Sequence, residues 1–410
     1  MILPRWDFLV VLCRLSALAA CVVTPIAAIA QENAPLKLGD LNSYAAYPEL
    51  TIPYRNGWQL ALEEINAKGG ILDRKVEIVS RDDGGAVISA SKAADELASK
   101  EKVALLFGTS LSPAALAVAD YAHQNKILFL AAGPLSGALT LERGNAYTFR
   151  PLRASASMQA QMLADQIQDP SIKRWAVIAP DYDYGRETAN AFKRRIKQNR
   201  SDNRIVAEQY PTLGAADGEA LADALQEADP QAIFCSLFGD DLAAFIRAGS
   251  ERNLFAGRTV LAPLAGEPEW FAILKDAVPD GWIVTGYPVA AIEDGPHKDF
   301  VDAYSRKYNA PPALASLNGY MMLYLIKQLV EEADAFETQK LISELQDFTA
   351  DTIIGGITVR ASDHQGSMGA WVGKVALVDG KPVMTDWSYL DGHLYFAPAD
   401  QVLLERPQSQ

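Results

Sequence analysis

From Leu36 onward, short apolar runs rich in β-formers alternate with amphipathic stretches, and the alternation restarts after Arg150. This repeat constrains the fold more than any other feature of the chain. Leu36 to Leu41, Lys75 to Ser80, Val103 to Phe107 and Ile127 to Ala131 read as strands. Arg55 to Lys68, Ala86 to Ser99 and Ser112 to His123 read as the helices between them. In the first helix Trp58, Leu62 and Ile65 recur at helical spacing, and Gly69-Gly70 ends it. The second round places strands at Trp175 to Ala179, Ile205 to Glu208, Ala232 to Leu237, Thr259 to Leu264 and Trp282 to Thr285. Its helices are Ala154 to Gln168, Tyr184 to Gln198, Glu219 to Ala228 and Asp241 to Arg252. Helices Lys298 to Tyr308, Leu314 to Ala333 and Thr338 to Phe348 follow. The stretch Ile354 to Tyr395 is β-rich, with turn signals at Asp379-Gly380 and Asp391-Gly392. Strands alternating with helices predict parallel sheets, so the expected fold is α/β with two doubly wound parallel-sheet lobes.

The chain has 410 residues, and single cores stop growing near ~250–300 residues, which also favours two lobes. No low-complexity linker separates the halves, so several crossing segments are expected to join them. The formal net charge is -14. An acidic surface repels phosphate backbones and argues against nucleic acid as a partner.

Residues 1–30 read as a secretory signal. Arg5 and Arg14 flank or interrupt apolar stretches, and Ala28-Ile29-Ala30 precedes the polar Gln31-Glu32-Asn33. Leu18-Ala19-Ala20-Cys21 resembles a lipoprotein cleavage site, but apolar residues continue after it, which favours plain cleavage after Ala30. The mature chain is then expected to be soluble and periplasmic. Removal of Cys13 and Cys21 would leave only Cys235, so no internal disulfide is expected.

Enzyme signatures are weak. His123, His297, His364 and His393 do not sit at the spacing of a helical metal pair. His123 reads as a helix-end surface residue, and His364 and His393 read as solvated residues near turns. Gly108-Thr109-Ser110-Leu111-Ser112 resembles a nucleophile elbow but ends in serine, with no assignable partner histidine. There is no phosphate-cradling loop ending in Gly-Lys-Ser/Thr and no dinucleotide glycine fingerprint. Asp82-Asp83 reads as a solvated strand end and helix cap. No catalytic residue, metal or cofactor is expected.

Features of a binding site are stronger. Ser112-Pro113 reads as a helix start, with serine as cap and proline in the first turn. That start follows a strand, where open α/β sheets bind ligands, and its N–H groups and dipole suit a carboxylate. Gly133, in the loop Ala131 to Ser136, would let a ligand approach the backbone. Asp181 to Gly185, Leu237 to Asp240 and Leu264 to Glu267 end strands of the second round. Five strand-end loops would thus converge on one cleft.

The ordered set of Asn56-Gly57-Trp58, Glu63 through Ile71, Val76 to Val79, Asp82-Asp83, Phe107-Gly108, Lys126 to Leu128, Tyr147 to Arg150, Tyr182 to Gly185 and Thr352 to Gly356 resembles the extracytoplasmic binding proteins of branched-chain amino-acid and amide ABC importers. The resemblance runs from about Leu36 to about Tyr395 and implies the type I periplasmic binding fold. It implies three crossings between lobes, near Arg150, Tyr287 and Arg360. Lobe 1 would then comprise 31–150 plus 288–360, lobe 2 151–287 plus 361–400, and 401–410 a tail. It implies that Ser112, with Ser110 beside it, and the loop Gly133, Leu135 and Ser136 hold a ligand carboxylate, and that Tyr184 closes over the ligand from the other lobe.

Two departures bear on the ligand. Leu135 stands where family members that bind α-amino acids carry threonine, and Ser136 is the nearest substitute. Their acidic residue for the ligand ammonium falls on or near Leu264, with Glu267 three residues later. A second aromatic anchor falls on Phe238. Tyr44, Tyr47 and Tyr54 either line an enlarged pocket or pack at the surface. Arg153 reads as a hinge-side charge or as the partner of a carboxylate. The resemblance implies a non-enzymatic, monomeric substrate-binding component that captures an amino acid or amide by hinge closure and delivers it to membrane permease subunits. An aromatic or other organic acid is the alternative ligand, and a ligand-sensing module of a signalling partner is the alternative role.

Overall fold

The computed structural model describes Met1, residues 34–293 and residues 295–407. The expected signal segment, with its cleavage site and Cys21, lies outside the described residues. Two sheets organise the chain. The first is parallel, with strands β1 (Leu36–Asn42), β2 (Val76–Asp82), β3 (Leu106–Gly108), β4 (Phe129–Ala131) and β5 (Thr148–Phe149) in the order β2-β1-β3-β4-β5. The second holds β6 (Arg174–Ile178), β7 (Arg204–Gln209), β8 (Ala232–Cys235), β9 (Thr259–Gly266), β10 (Ile283–Gly286), β13 (Ala370–Val378) and β14 (Lys381–Leu390). Its order is β14-β13-β10-β9-β8-β6-β7. A two-stranded hairpin, β11 (Thr349–Thr352) and β12 (Gly355–Thr358), stands apart.

Strands β3, β4 and β8 are buried throughout, because helices cover both faces of each sheet. Around the first sheet lie α1 (Pro48–Ala67), α2 (Val87–Asp95), α3 (Ser112–Asn125), α9 (Gly295–Tyr308), α10 (Leu314–Ala333) and α11 (Thr338–Glu344). Around the second lie α4 (Ala156–Ala164), α5 (Asp183–Asn199), α6 (Gly218–Ala228), α7 (Gly239–Glu251) and α8 (Pro268–Leu274). The chain therefore passes between the sheets three times: after β5, after β10 and after β12. Lobe 1 and lobe 2 below denote the two sheets with their helices.

Several elements differ from the sequence reading. Helix α1 begins at Pro48, ahead of the apolar periodicity, because Pro48 is tolerated in a first turn. Helix α8 stands where only a strand-end loop is expected, and Pro268 opens it. Asp379-Gly380 does turn β13 into β14, both with positive φ. Asp391-Gly392 makes no hairpin; Asp391 caps a single 3-10 turn, Gly392–Tyr395. The expected tail holds a helix, α12 (Ala399–Glu405), and Arg406 after it donates to the carbonyls of Asn145 (3.1 Å) and Asp363 (3.0 Å). His364 is buried rather than solvated and stacks on Phe149 with centroids 3.8 Å apart. Burial and the nearby Arg406 push its imidazole down to about 4. Asp83 is buried too: it accepts from the Ser43 hydroxyl (2.6 Å) and the Gly85 N–H (2.8 Å) and so fixes a loop.

Helices α1 and α10 touch backbone to backbone. A Cβ at Gly57 would lie 2.0 Å from the Ser316 carbonyl oxygen, and one at Gly319 would lie 2.2 Å from the Tyr54 carbonyl oxygen. This contact sets how close Tyr54 and the start of α10 come to the cleft. Gly319→Ala is expected to force the helices apart and cost about 1–3 kcal/mol. Urea unfolding monitored by circular dichroism checks this as a lower midpoint; an unchanged midpoint would mean the two helices can separate without loss.

Candidate functional site

The site begins where β1, β3 and β4 end. Gly108 has φ +114, and a Cβ there would lie 2.2 Å from the Leu41 carbonyl oxygen, so β3 can end only in glycine without displacing β1. Thr109 follows with φ +58, its N–H bound to the Leu41 carbonyl at 2.6 Å and its carbonyl accepting from Gly133 at 3.0 Å. A Cβ at Gly133 would come within 3.1 Å of Ser110 Cα. The loops after β3 and β4 are thereby locked together beside the start of α3.

Lobe 2 supplies the facing wall. Tyr184, in the first turn of α5, is 2% exposed and meets Phe238 edge-on, with centroids 6.0 Å apart. Phe238 in turn packs on Trp270 of α8 at 5.7 Å. Leu135 of lobe 1 joins this apolar cluster, with Tyr47 and Tyr182 packed against it. The walls enclose a cavity of about 690 Å³, counting the part open to solvent.

The structure brings most of the expected residues to this cavity. Ser110, Ser112, Gly133 and Leu135 line it from lobe 1, as does Tyr47 at the start of α1. Tyr184, Phe238 and Glu267 line it from lobe 2. Ser136 does not. Its hydroxyl caps the 3-10 turn Gly137–Leu139 by accepting from Ala138 at 3.3 Å, and it lies away from the cavity. Ser112 lies at the cavity but is the first helical residue rather than the cap; extended Leu111 occupies the cap position. The Ser112 hydroxyl accepts from the Ser136 N–H at 3.3 Å. Of the three tyrosines near the N-terminus, Tyr47 and Tyr54 line the cavity. Tyr44 lies beneath it, where its hydroxyl donates to Asp40 at 2.6 Å and Arg55 covers its ring at 3.5 Å.

Glu267 is not an unpaired acid. It forms a buried ion pair with Arg153 from the first crossing segment. Arg153 is therefore a carboxylate partner, not a solvated hinge-side charge. Burial raises the Glu267 carboxyl, and Arg153 works against that rise. Two positions on, Glu269 accepts from the N–H groups of Leu314 (3.2 Å) and Ala315 (3.0 Å), the first residues of α10. A lobe 2 side chain thus satisfies helix N–H groups of lobe 1 that have no intrahelical acceptor. Burial raises the Glu269 carboxyl to about 7.

Glu269, Trp270 and Asn318 also line the cavity, and the sequence reading does not include them. The run Glu267-Pro268-Glu269 carries a signal for the first two, since proline after a strand end marks a helix start. Nothing local marks Asn318. Leu264 lines the cavity with φ +69, a conformation that costs a non-glycine residue energy and is concentrated at functional sites.

Several residues of the cavity wall hold buried polar atoms with no protein partner. They include Tyr54 Oη, Thr109 Oγ1 and Asn318 Oδ1 of lobe 1, Tyr184 Oη of lobe 2, and Arg153 Nε of the first crossing. Leaving such groups unbonded costs about 1–3 kcal/mol each.

The sequence pattern of the family described as periplasmic binding protein matches residues 38–381. Among curated relatives, the chain is 26% identical over 337 residues to Leu/Ile/Val-binding protein homolog 7 of Brucella suis biovar 1, covering 78% of this chain and 83% of that protein. Among solved structures it is similar to a solute binding protein of an ABC transporter from Rhodopseudomonas palustris BisB5 in complex with 3,4-dihydroxybenzoic acid. The TM-score there is 0.78 at 22% identity, over 87% of this chain and 98% of that one. It is also similar to a branched-chain amino acid transporter substrate binding protein from Streptococcus pneumoniae in complex with isoleucine. That TM-score is 0.75 at 20% identity, over 87% of this chain and 99% of that one.

The carboxyl of Asp40, beneath Tyr44, is raised by burial to about 7, against the lowering effect of its Ser80 and Tyr44 hydrogen bonds. The folded protein therefore holds a proton that the unfolded chain releases near pH ~4. The stability due to this group is complete below about pH 4 and is lost as pH rises through about 7. Asp40→Asn should flatten the decline of the thermal midpoint between about pH 4 and about 7 relative to wild type. Parallel profiles for the two proteins would show that Asp40 does not titrate in this range.

Proposed function

The chain belongs to the periplasmic binding protein family, and from that premise we propose that it is the substrate-binding component of an ABC importer, capturing a small carboxylate-bearing solute between its lobes. The observation that carries this reading is the set of unpartnered polar atoms contributed to one cavity by both lobes. A guest placed there would satisfy groups that neither lobe satisfies alone. The ligand carboxylate faces the start of α3, where backbone N–H groups have no intrahelical acceptor and the helix dipole is positive. Its body lies against Leu135, Tyr184 and Phe238. Closing the lobes brings the Tyr184 wall over it, so ligand and closure stabilise each other. The closed form is what membrane permease subunits recognise, while other chains hydrolyse ATP. The protein acts in the periplasm, after export on its N-terminal signal, and returns its ligand chemically unchanged.

Two ligand classes fit a carboxylate end: an amino acid or amide, and an aromatic or other organic acid without an ammonium group. The Arg153–Glu267 pair favours the second. An ammonium group needs an unpaired carboxylate, whereas Glu267 is held by Arg153 and Glu269 by the start of α10. The aromatic wall of Tyr182, Tyr184, Phe238 and Trp270 suits a flat ring.

Calorimetric titration with leucine, isoleucine, an aliphatic amide, benzoate and hydroxybenzoates tests both. Binding of the aromatic acids with leucine silent is the expected result; tight leucine binding would return the amino-acid class. For whichever ligand binds, Tyr184→Ala should raise Kd more than about tenfold, or about 1.4 kcal/mol. An unchanged Kd would remove Tyr184 from the site, and release of a chemically altered ligand would make the protein an enzyme.

A further inference from the structure

The cavity does not account for every contact between the lobes. Helix α5 carries Tyr184 to the ligand wall and, one turn on, presents Glu187 to the other side of the same lobe 1 loop. The Glu187 carboxylate accepts the N–H of Gly137 in lobe 1 and that of Ser157 in lobe 2, the latter at 3.3 Å. The Ser157 bond lies within lobe 2 and aims the carboxylate whether or not the lobes meet. The Gly137 bond crosses the gap. A Cβ at Gly137 would lie 2.6 Å from Glu187 Oε1, so a larger residue there would push the carboxylate aside. Glu187 does not line the ligand cavity. Gly137 directly follows Gly133 to Ser136, the loop that lines the cavity with Gly133 and Leu135. Buried Arg150 holds that loop from behind, donating to the carbonyls of Pro134 (3.2 Å) and Ser136 (2.6 Å). Burial raises the Glu187 carboxyl, and the Gly137 N–H and the Arg150 charge work against that rise.

We propose that Glu187 is a ligand-independent clasp, whose bond to Gly137 forms only on closure and sets the closed fraction of the empty protein, and thereby the affinity for every ligand alike. The proposal rests on hinge closure as read above. A residue that touches the ligand changes affinities according to ligand chemistry. A clasp strengthens every affinity by the same factor, because apparent Kd scales inversely with the competent fraction. One charge-assisted hydrogen bond makes that factor about tenfold.

The test uses the full mature chain with spin labels on cysteines introduced at Gln124 of lobe 1 and Glu227 of lobe 2, both exposed. Double electron–electron resonance gives the distance distribution with and without the ligands that calorimetry identifies. In the Glu187→Gln variant the closed population of empty protein should fall, and Kd should rise by one common factor of about tenfold across structurally different ligands. Gly137→Ala, which crowds the same approach without altering charge, should shift both in the same direction. A wild-type distance that does not change on ligand addition overturns hinge closure and the clasp with it. Wild-type protein that closes while both variants close and bind like it overturns the clasp alone. So does a change in Kd that differs between ligands.

Discussion

A guanidinium with almost no exposed surface stands where the two lobes meet. Arg150 follows β5 at the first crossing and donates to Gln365 Oε1 of the third crossing at 2.7 Å, as well as to the carbonyls of Pro134 and Ser136. Its own backbone pairs with His364 and Gly366. One side chain thereby ties two crossing segments to the cavity loop that holds Gly133 and Leu135. Burial lowers its ionisation only to about 10, so it stays charged at neutral pH. A buried charge is costly unless several acceptors surround it, and the planar fork of arginine reaches three at once, where a lysine head would have to choose. The geometry of that loop depends on this residue because the loop offers its carbonyls to it rather than to another strand.

The alternation of strands and helices was legible because both periodicities are strong and both sheets are buried on two faces. Helix α10 spans the residues its pattern predicts, Leu314–Ala333. The misses fall where local pattern is weak or where a distant partner decides. Helix α8 has only seven residues, too few for a helical periodicity to stand out beyond the strand-end loop. His364 reads as solvated because it sits near a turn, yet Phe149 and Arg406, distant in the chain, enclose it.

The site divides in the same way. Strand-end loops can be read from one sequence, since the end of a parallel strand is where a ligand can sit, and Ser110, Gly133, Tyr184 and Phe238 are found there. Partnership cannot be read. Glu267 and Arg153 are 114 positions apart, and only the fold makes one the counterion of the other. Ser136 is one residue from the cavity-lining Leu135, but in an irregular loop one residue is enough to turn a hydroxyl from the ligand to the backbone.

The strained residues are also placed by the division of labour between the lobes. Thr109 in lobe 1 and Leu264 in lobe 2 both adopt positive φ at strand ends, and both line the cavity. Each is held by a fixed partner: Thr109 by the Leu41 carbonyl, and Leu264 by the Thr285 hydroxyl at 2.9 Å, which donates in turn to Gln159 at 2.8 Å. Thr285 lies on β10 just before the second crossing, and Gln159 lies on α4 just after the first. The strain on the lobe 2 side of the cavity is therefore supported by the same region that would bend under the proposed hinge motion. Opening need not relax Leu264, because its supports all belong to lobe 2 and move with it. Opening of the kind proposed would act on bonds that cross the gap, those of Glu269 and Glu187 among them, and these two are carboxylates on backbone N–H groups. Such bonds are strong when dry and readily replaced by water when exposed, which suits contacts that would form and break under the proposed closure.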